Sequence, residues 1–177
     1  MTSASHPRLI SFEEFLRLAN PPTGHYELHQ GALIPVPPPK YKHFLMLQKL
    51  RTLLQEGAGA SGLVYTELGI RLLPEGEYRQ VDIAYGPHTM WSRPDPEGYF
   101  LGSPEFVVEV LSPSNTKAAI TETMRLCLAN GCREFWVVDM DRKTVEVRSA
   151  VDSAIYREGD HIPLLFGSEL NMSALFE

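Results

Sequence analysis

The sequence predicts an α/β protein built on a mixed β-sheet, and three stretches carry that prediction. Residues 104–112, "PEFVVEVLS", and 132–140, "CREFWVVDM", are near-continuous apolar runs of the kind that forms a central strand covered on both faces. Between them, "PSNTKAAITETMRLCLANG" spaces its apolar residues as a helix does. Strand, helix and strand in that order make a βαβ unit, which is right-handed as a rule. Upstream, "YKHFLMLQKLRTLLQEGAGA" sets Phe44, Leu47, Leu50 and Leu54 on one stripe, the clearest helix of the chain.

The remaining elements follow in order. "LISFEEFLRLAN" places Phe12, Phe15, Leu16 and Leu18 at roughly helical spacing, with Ser11 as N-cap and Glu13 and Glu14 in the first turn. "PPTG" ends that helix, and "HYELHQGALIPVP" reads as a hairpin turning near Gln30-Gly31. "PPPK" is a stiff connector leading to the long helix, which Gly57 stops. "GLVYTELGIRLLP" is β-rich, "EGEY" a turn and "RQVDIAYG" a short strand. "PHTMWSRPDPEGYFLG" is a Pro/Gly-rich loop long enough to suggest function or mobility. The second helix is capped by Ser114 or Asn115, carries the stripe Ile120, Met124, Cys127 and Leu128, and closes at Gly131. "DRK" turns into "TVEVRSA", and "AIYREG" and "HIPLL" add edge β structure.

The 177 residues fit a single domain, 1–177, large enough to bury a core without disulfides. No apolar stretch reaches the roughly 18 residues needed to cross a membrane. "MTSASHPRLI" lacks the basic-then-apolar pattern of a signal peptide, and the only cysteines are Cys127 and Cys132. A reducing cytoplasm is the expected location. The net charge of −6 argues against a sequence-independent nucleic-acid coat, but not against an enzyme acting on DNA through a bound cation.

Two acids stand out. "VDIAYG" and "PEFVVEVLS" are apolar apart from Asp82 and Glu109, and a lone ionised carboxylate is costly to bury in an apolar strand. If the two strands pair, the acids meet across the sheet and repel unless one is protonated or a cation lies between them. Mg²⁺ suits such a pair, with waters and substrate phosphate completing its shell. The competing reading has one acid facing solvent at a strand edge, or paired with an arginine such as Arg71 or Arg79.

"YELHQGALIPVP", His43 opening a helix, "VDIAYG", "PEFVVEVLSPSN" and "NGCREFWVVDM" follow in one order, and together they resemble a large bacterial family. It is the family of putative restriction endonucleases, long catalogued as a domain of unknown function, within the PD-(D/E)xK nuclease superfamily. The resemblance spans roughly Phe12 to Leu165 and implies a restriction-endonuclease-like fold, a mixed β-sheet flanked by helices. It implies Mg²⁺-dependent (or Mn²⁺-dependent) hydrolysis of DNA phosphodiester bonds by an endonuclease, commonly a homodimer. Asp82 matches the Asp of "PD", with Val81 replacing the Pro; Glu109 matches the acid of "(D/E)xK"; the backbone carbonyl of Val110 would be a further metal ligand. Glu27, in "YEL", is an accessory candidate that competes with a plain surface acid, and His43 matches a family histidine that competes with a structural one.

The chain departs from the pattern at the lysine. Leu111 occupies the strict position after Glu109, and where the resembling family carries its lysine on the next helix this chain has Thr123. A usual tyrosine is Cys127. Thr123 lies on the inward face, so a lysine there would point at the sheet. Arg125 is about 200° away and Lys117 about 120° away, which makes Lys117, near the helix start, a weak substitute. Glu67 shares a strand face with Arg71 and is expected to pair with it. Phe135 and Trp136 read as core or interface, and there is no phosphate-binding GxxxxGK[ST], no CxxC and no GxSxG. Three readings remain open: a metal-dependent DNA endonuclease impaired by the missing lysine, an inactive nuclease-fold module that binds DNA or protein, or a soluble domain in which the acid pair is purely structural.

Overall fold

The computed structural model of the chain describes residues 8–18, 25–92, 98–112 and 116–177. α1 (Phe12–Arg17) opens on a capping box in which Ser11 and Glu14 satisfy each other's backbone amides. Its buried Phe12 packs among Phe15, Tyr78 and Tyr99, with the Arg71 guanidinium 4.3 Å over the ring. β1 (His25–His29) and β2 (Ala32–Val36) form the expected hairpin, turning through Gln30 and Gly31 at φ 51° and 82°, the left-handed pair such a turn requires.

α2 (Tyr41–Ala58) buries His43, Leu47, Leu50, Leu54 and Ala58. The expected Phe44 is exposed, and His43 takes its place on the inward stripe. The helix runs through Gly57 and ends at Gly59, whose φ of 52° is the left-handed stop. β3 (Gly62–Leu72) and β4 (Glu77–Pro87) then pair antiparallel along their length, so β4 begins within the stretch read as a turn. The long loop holds two short elements, α3 (His88–Trp91) and β5 (Phe100–Leu101), and β5 runs parallel to β3.

β6 (Phe106–Val110), α4 (Lys117–Ala129) and β7 (Glu134–Asp139) are the βαβ unit, with β6 and β7 parallel as predicted. Of the cap candidates, Ser114 and Asn115 lie outside the described residues, and Thr116 is the N-cap. α4 buries Ile120, Thr123, Leu126 and Cys127; Met124 and Leu128 are displaced from the expected stripe to its flank. β8 (Thr144–Arg148) and β9 (Ser153–Tyr156) extend the sheet antiparallel. "HIPLL" does not join that sheet. β10 (His161–Pro163) pairs with β11 (Glu169–Asn171) in a separate ribbon, followed by α5 (Met172–Phe176).

The main sheet runs β2-β1-β4-β6-β7-β8-β9, with β3 also on β4 and β5 on β3. One face packs on α2, α5 and the β10–β11 ribbon through Val108, Trp136, Ile162, Leu170 and Met172. The other packs on α4 through Val107, Phe135, Leu126 and Cys127.

One strand edge positions everything that follows. β3 occupies one edge of β4, so β1 and β6 must share the other. β1 pairs there at Tyr78, and β6 at Ile83, Ala84 and Tyr85. Between Tyr78 and Ile83 the ladder is interrupted and the sheet forks. At the β1 side of the fork Arg79 and Glu77, both about 1% exposed, form a 2.7 Å ion pair, and Arg79 also donates to the Leu28 and Tyr78 carbonyls. Removing one member of such a pair leaves a buried charge uncompensated. Glu77→Ala is therefore expected to lower the unfolding free energy by about 3–5 kcal/mol in denaturant titration, and Glu77→Leu combined with Arg79→Met to recover most of that loss.

Candidate functional site at a fork in the sheet

The register Ile83↔Val108 carries one step further to Asp82 opposite Glu109, at the point where β4 and β6 part. This is the juxtaposition the two apolar strands predicted. At the fork, backbone amides that would otherwise enter a ladder need other acceptors. Carboxylates supply them. Asp82 Oδ2 accepts from the Val110 amide at 2.7 Å, and Glu27 Oε1 accepts from the Gln80 amide at 2.9 Å. Each acid is held at its other oxygen by a histidine: His43 Nε2 lies 3.1 Å from Asp82 Oδ1, and His29 Nε2 lies 2.6 Å from Glu27 Oε2. In an extended strand the N–H and C=O of one residue leave by the same edge, so the Val110 carbonyl also faces the fork.

Glu109 is held differently. It is only 8% exposed, and no side chain among the described residues bonds its carboxylate. Burial pushes its pKa well up from 4.5, the charges of Asp82 and Glu27 push the same way, and a hydrogen bond from the Asp82 backbone offsets this in part. His43 is also pushed up, chiefly by its bond to Asp82 and against the effect of burial. The arginine reading fails for both acids: Arg71 pairs with Glu75 at 2.8 Å and Arg79 with Glu77.

The expected Glu67–Arg71 pair is absent for the same reason. Glu67 instead lies opposite Asp82 in the β3–β4 register at φ 53°, a left-handed conformation that costs about 1 kcal/mol or more outside glycine. Val64 packs in the α2-side core and Ile70 in the α4-side core, so the strand exchanges faces at this residue. β4 does the same between Val81 and Ile83. Asp82 sits at that crossover, which is how it reaches α2 while its neighbour Glu109 faces α4.

On α4, Thr123 is buried one turn before Cys127. The Cys127 thiol is pushed up to about 12, first by burial and further by the nearby Glu109. The inward face of α4 therefore covers the acid. Lys117 is exposed in the first turn and lines an open groove with Leu111, Ser112 and Arg142. The charges acting on Glu109 are both negative. Neither Lys117 nor Arg125, which pairs with Glu122 at 2.8 Å, is brought to it.

The donor set fits a hard divalent cation: carboxylate oxygens and one backbone carbonyl at an acidic, half-enclosed fork. Among the described residues no three or more His, Cys, Asp or Glu side chains are grouped to hold a metal, so further positions would fall to the carbonyl, water or phosphate. Sequence reasoning missed His29, which carries no signal beyond its i,i+2 spacing from Glu27. It left His43 undecided, although a histidine at position 43 continues the Leu47, Leu50, Leu54 stripe as well as Phe44 does.

A family model described as "Uma2: Putative restriction endonuclease" matches residues 12–176. Among solved structures the fold is similar to that of a putative nuclease belonging to DUF820 from Anabaena variabilis, with a TM-score of 0.81, 22% identity, and coverage of 94% of this chain and 97% of that one. No curated protein matches the chain. Among the described residues no helix is long and apolar enough to cross a membrane.

A carboxyl group whose folded pKa is raised above its ordinary 4.5 stabilises the fold below that pH, and the stabilisation is lost as pH rises through the raised value. In chelator, Glu109→Gln is expected to melt higher than wild type at pH 7, and the gap to close as pH falls towards 4.5. Coincident thermal midpoints at pH 7 would show that Glu109 bears no desolvation penalty.

Proposed function

The chain belongs to the Uma2 family of putative restriction endonucleases, and on that premise we propose that it is a divalent-metal-dependent nuclease that hydrolyses DNA phosphodiester bonds. The observation that carries the reading is the fork itself: Asp82 opposite Glu109, with the Val110 backbone turned into the same gap. Asp82, Glu109 and the Val110 carbonyl would hold Mg²⁺ or Mn²⁺. When bound, such an ion supplies Lewis-acid stabilisation of the phosphodiester and a more acidic water.

The chain's own residues divide the remaining work. Asp82 is fixed at both oxygens and sets where the cation sits. Glu109 faces negative neighbours, so a cation relieves a repulsion already present. Glu27 has both oxygens engaged and acts through its charge. Thr123, over this face, can donate one hydrogen bond but brings no positive charge to the developing phosphorane or to the water that attacks it. Catalysis is accordingly weak. Lys117, in the open groove beyond, is suited to contact phosphate outside the reacting centre. The same reading includes a homodimer, since a duplex has two strands to cut, working in the reducing cytoplasm.

Purified protein is expected to nick supercoiled plasmid with Mg²⁺ or Mn²⁺, and Asp82→Asn or Glu109→Gln to lower the rate about 10²-fold or more. Thr123→Lys should raise the rate above wild type. Wild-type protein that binds metal and DNA without cleaving either strand, under both metals, would instead establish the non-catalytic binding module.

A further inference from the structure

The position of His43 in the fold is at odds with its chemistry. It occupies an inward place on α2 in line with Leu47, Leu50 and Leu54, and it is 8% exposed. Its Nδ1 is buried without a hydrogen-bond partner, while its Nε2 lies 3.1 Å from Asp82 Oδ1. A buried N–H without an acceptor is the costlier vacancy, so the ring proton belongs on Nε2, donated to Asp82. The one hydrogen bond that His43 makes is thus spent on one carboxylate oxygen. The other oxygen accepts from the Val110 amide.

We propose that His43 is a positioning residue that fixes the Asp82 carboxylate for cation binding, an inference that rests on the metal-dependent reading above. With both oxygens bonded, the Asp82 carboxylate is held at two points. The Val110 amide alone would leave the carboxylate free to swing about that single bond. The ring is itself held on a rigid element, because the leucines that follow it are sealed into the core against Val108 and Trp136. Glu109, by contrast, has no side chain among the described residues bonded to its carboxylate. One ligand is preset and the other is drawn in by charge. Partners that orient a metal ligand in this way are typically worth about 10–100-fold in metal affinity. Glu67 also faces the ring as a charge, but it is exposed and screened by solvent.

The test compares Mn²⁺ and Mg²⁺ affinity by calorimetry for the full chain and for His43→Leu, His43→Gln and His43→Asn, with a denaturant unfolding curve for each. Leucine suits the stripe, so His43→Leu should fold yet bind metal about 10–100-fold more weakly. Glutamine can carry an N–H to the place of Nε2 and should restore most of the affinity. Asparagine is as polar but too short to reach Oδ1, and should bind as weakly as leucine does. A merely structural histidine would move the unfolding curves without this ordering. Affinity at wild-type level in both His43→Leu and His43→Asn overturns the proposal while leaving the metal site standing. If His43→Leu does not fold, the Gln-against-Asn comparison decides by itself. Absence of wild-type binding at millimolar metal overturns the metal-dependent reading and this inference together.

Discussion

The interruption in the second edge of β4 is the constraint on which the rest of the structure depends. β1 takes that edge at one end and β6 at the other, and neither fills the middle. A sheet cannot leave such amides unpaired in its interior. Here the repair is made by carboxylates: Glu27 for the Gln80 amide and Asp82 for the Val110 amide. Acidic side chains are therefore built into the backbone bonding of the fork. Two acids arrive as substitutes for a ladder, and the third, Glu109, is brought in by the register. The concentration of negative charge follows from the topology.

That arrangement has an energetic signature. Ion pairs elsewhere among the described residues are ordinary surface pairs, or, in the case of Glu77 and Arg79, a buried pair of opposite charges. At the fork the acids face one another. The surroundings are uneven, because Asp82 and Glu27 each have an amide and a histidine as hydrogen-bond partners. Glu109 has burial and two negative neighbours, and it carries the strain. An acid so placed stabilises the protonated or the cation-bound state over the bare one. The hydrogen bonding of Asp82 and the raised pKa of Glu109 are thus two sides of one geometry. The left-handed backbone at Glu67, directly opposite Asp82, belongs to it as well, since the exchange of faces there lets one pair of neighbouring strands address both helix layers.

Much of this was legible in the sequence, and the limits have physical causes. The βαβ unit and the acid pair were readable because apolar continuity makes a lone carboxylate conspicuous. The hairpin at Gln30-Gly31 was readable because its turn demands particular residues. The stripe on α2 was misread by one position, since both Phe44 and His43 fit the helical period, and hydrophobicity favours the phenylalanine that in fact faces solvent. What put the histidine inside was a partner on another strand, which no local pattern records. The same holds for Arg71 and Arg79, whose partners at Glu75 and Glu77 lie close in sequence while the conspicuous acids lie further away. β10, β11 and α5 are short, and the packing of Ile162, Leu170 and Met172 on the α2-side core defines them more than their own periodicity does.

The absence of a lysine at Thr123 takes a different meaning in this setting. A helix lysine over a pair of acids does two things: it neutralises the acids when no metal is present, and it supplies positive charge to the reaction. Thr123 does neither, and Cys127, one turn further, is a neutral buried thiol. Charge balance at the fork therefore falls to whatever cation enters. Both histidines bond acids other than Glu109. The fold keeps the acids together at the fork and lacks the lysine that would balance their charge. On the metal-dependent reading proposed above, a chain with that combination would depend on its cation more completely than one with the lysine, for the stability of the fork as well as for its chemistry.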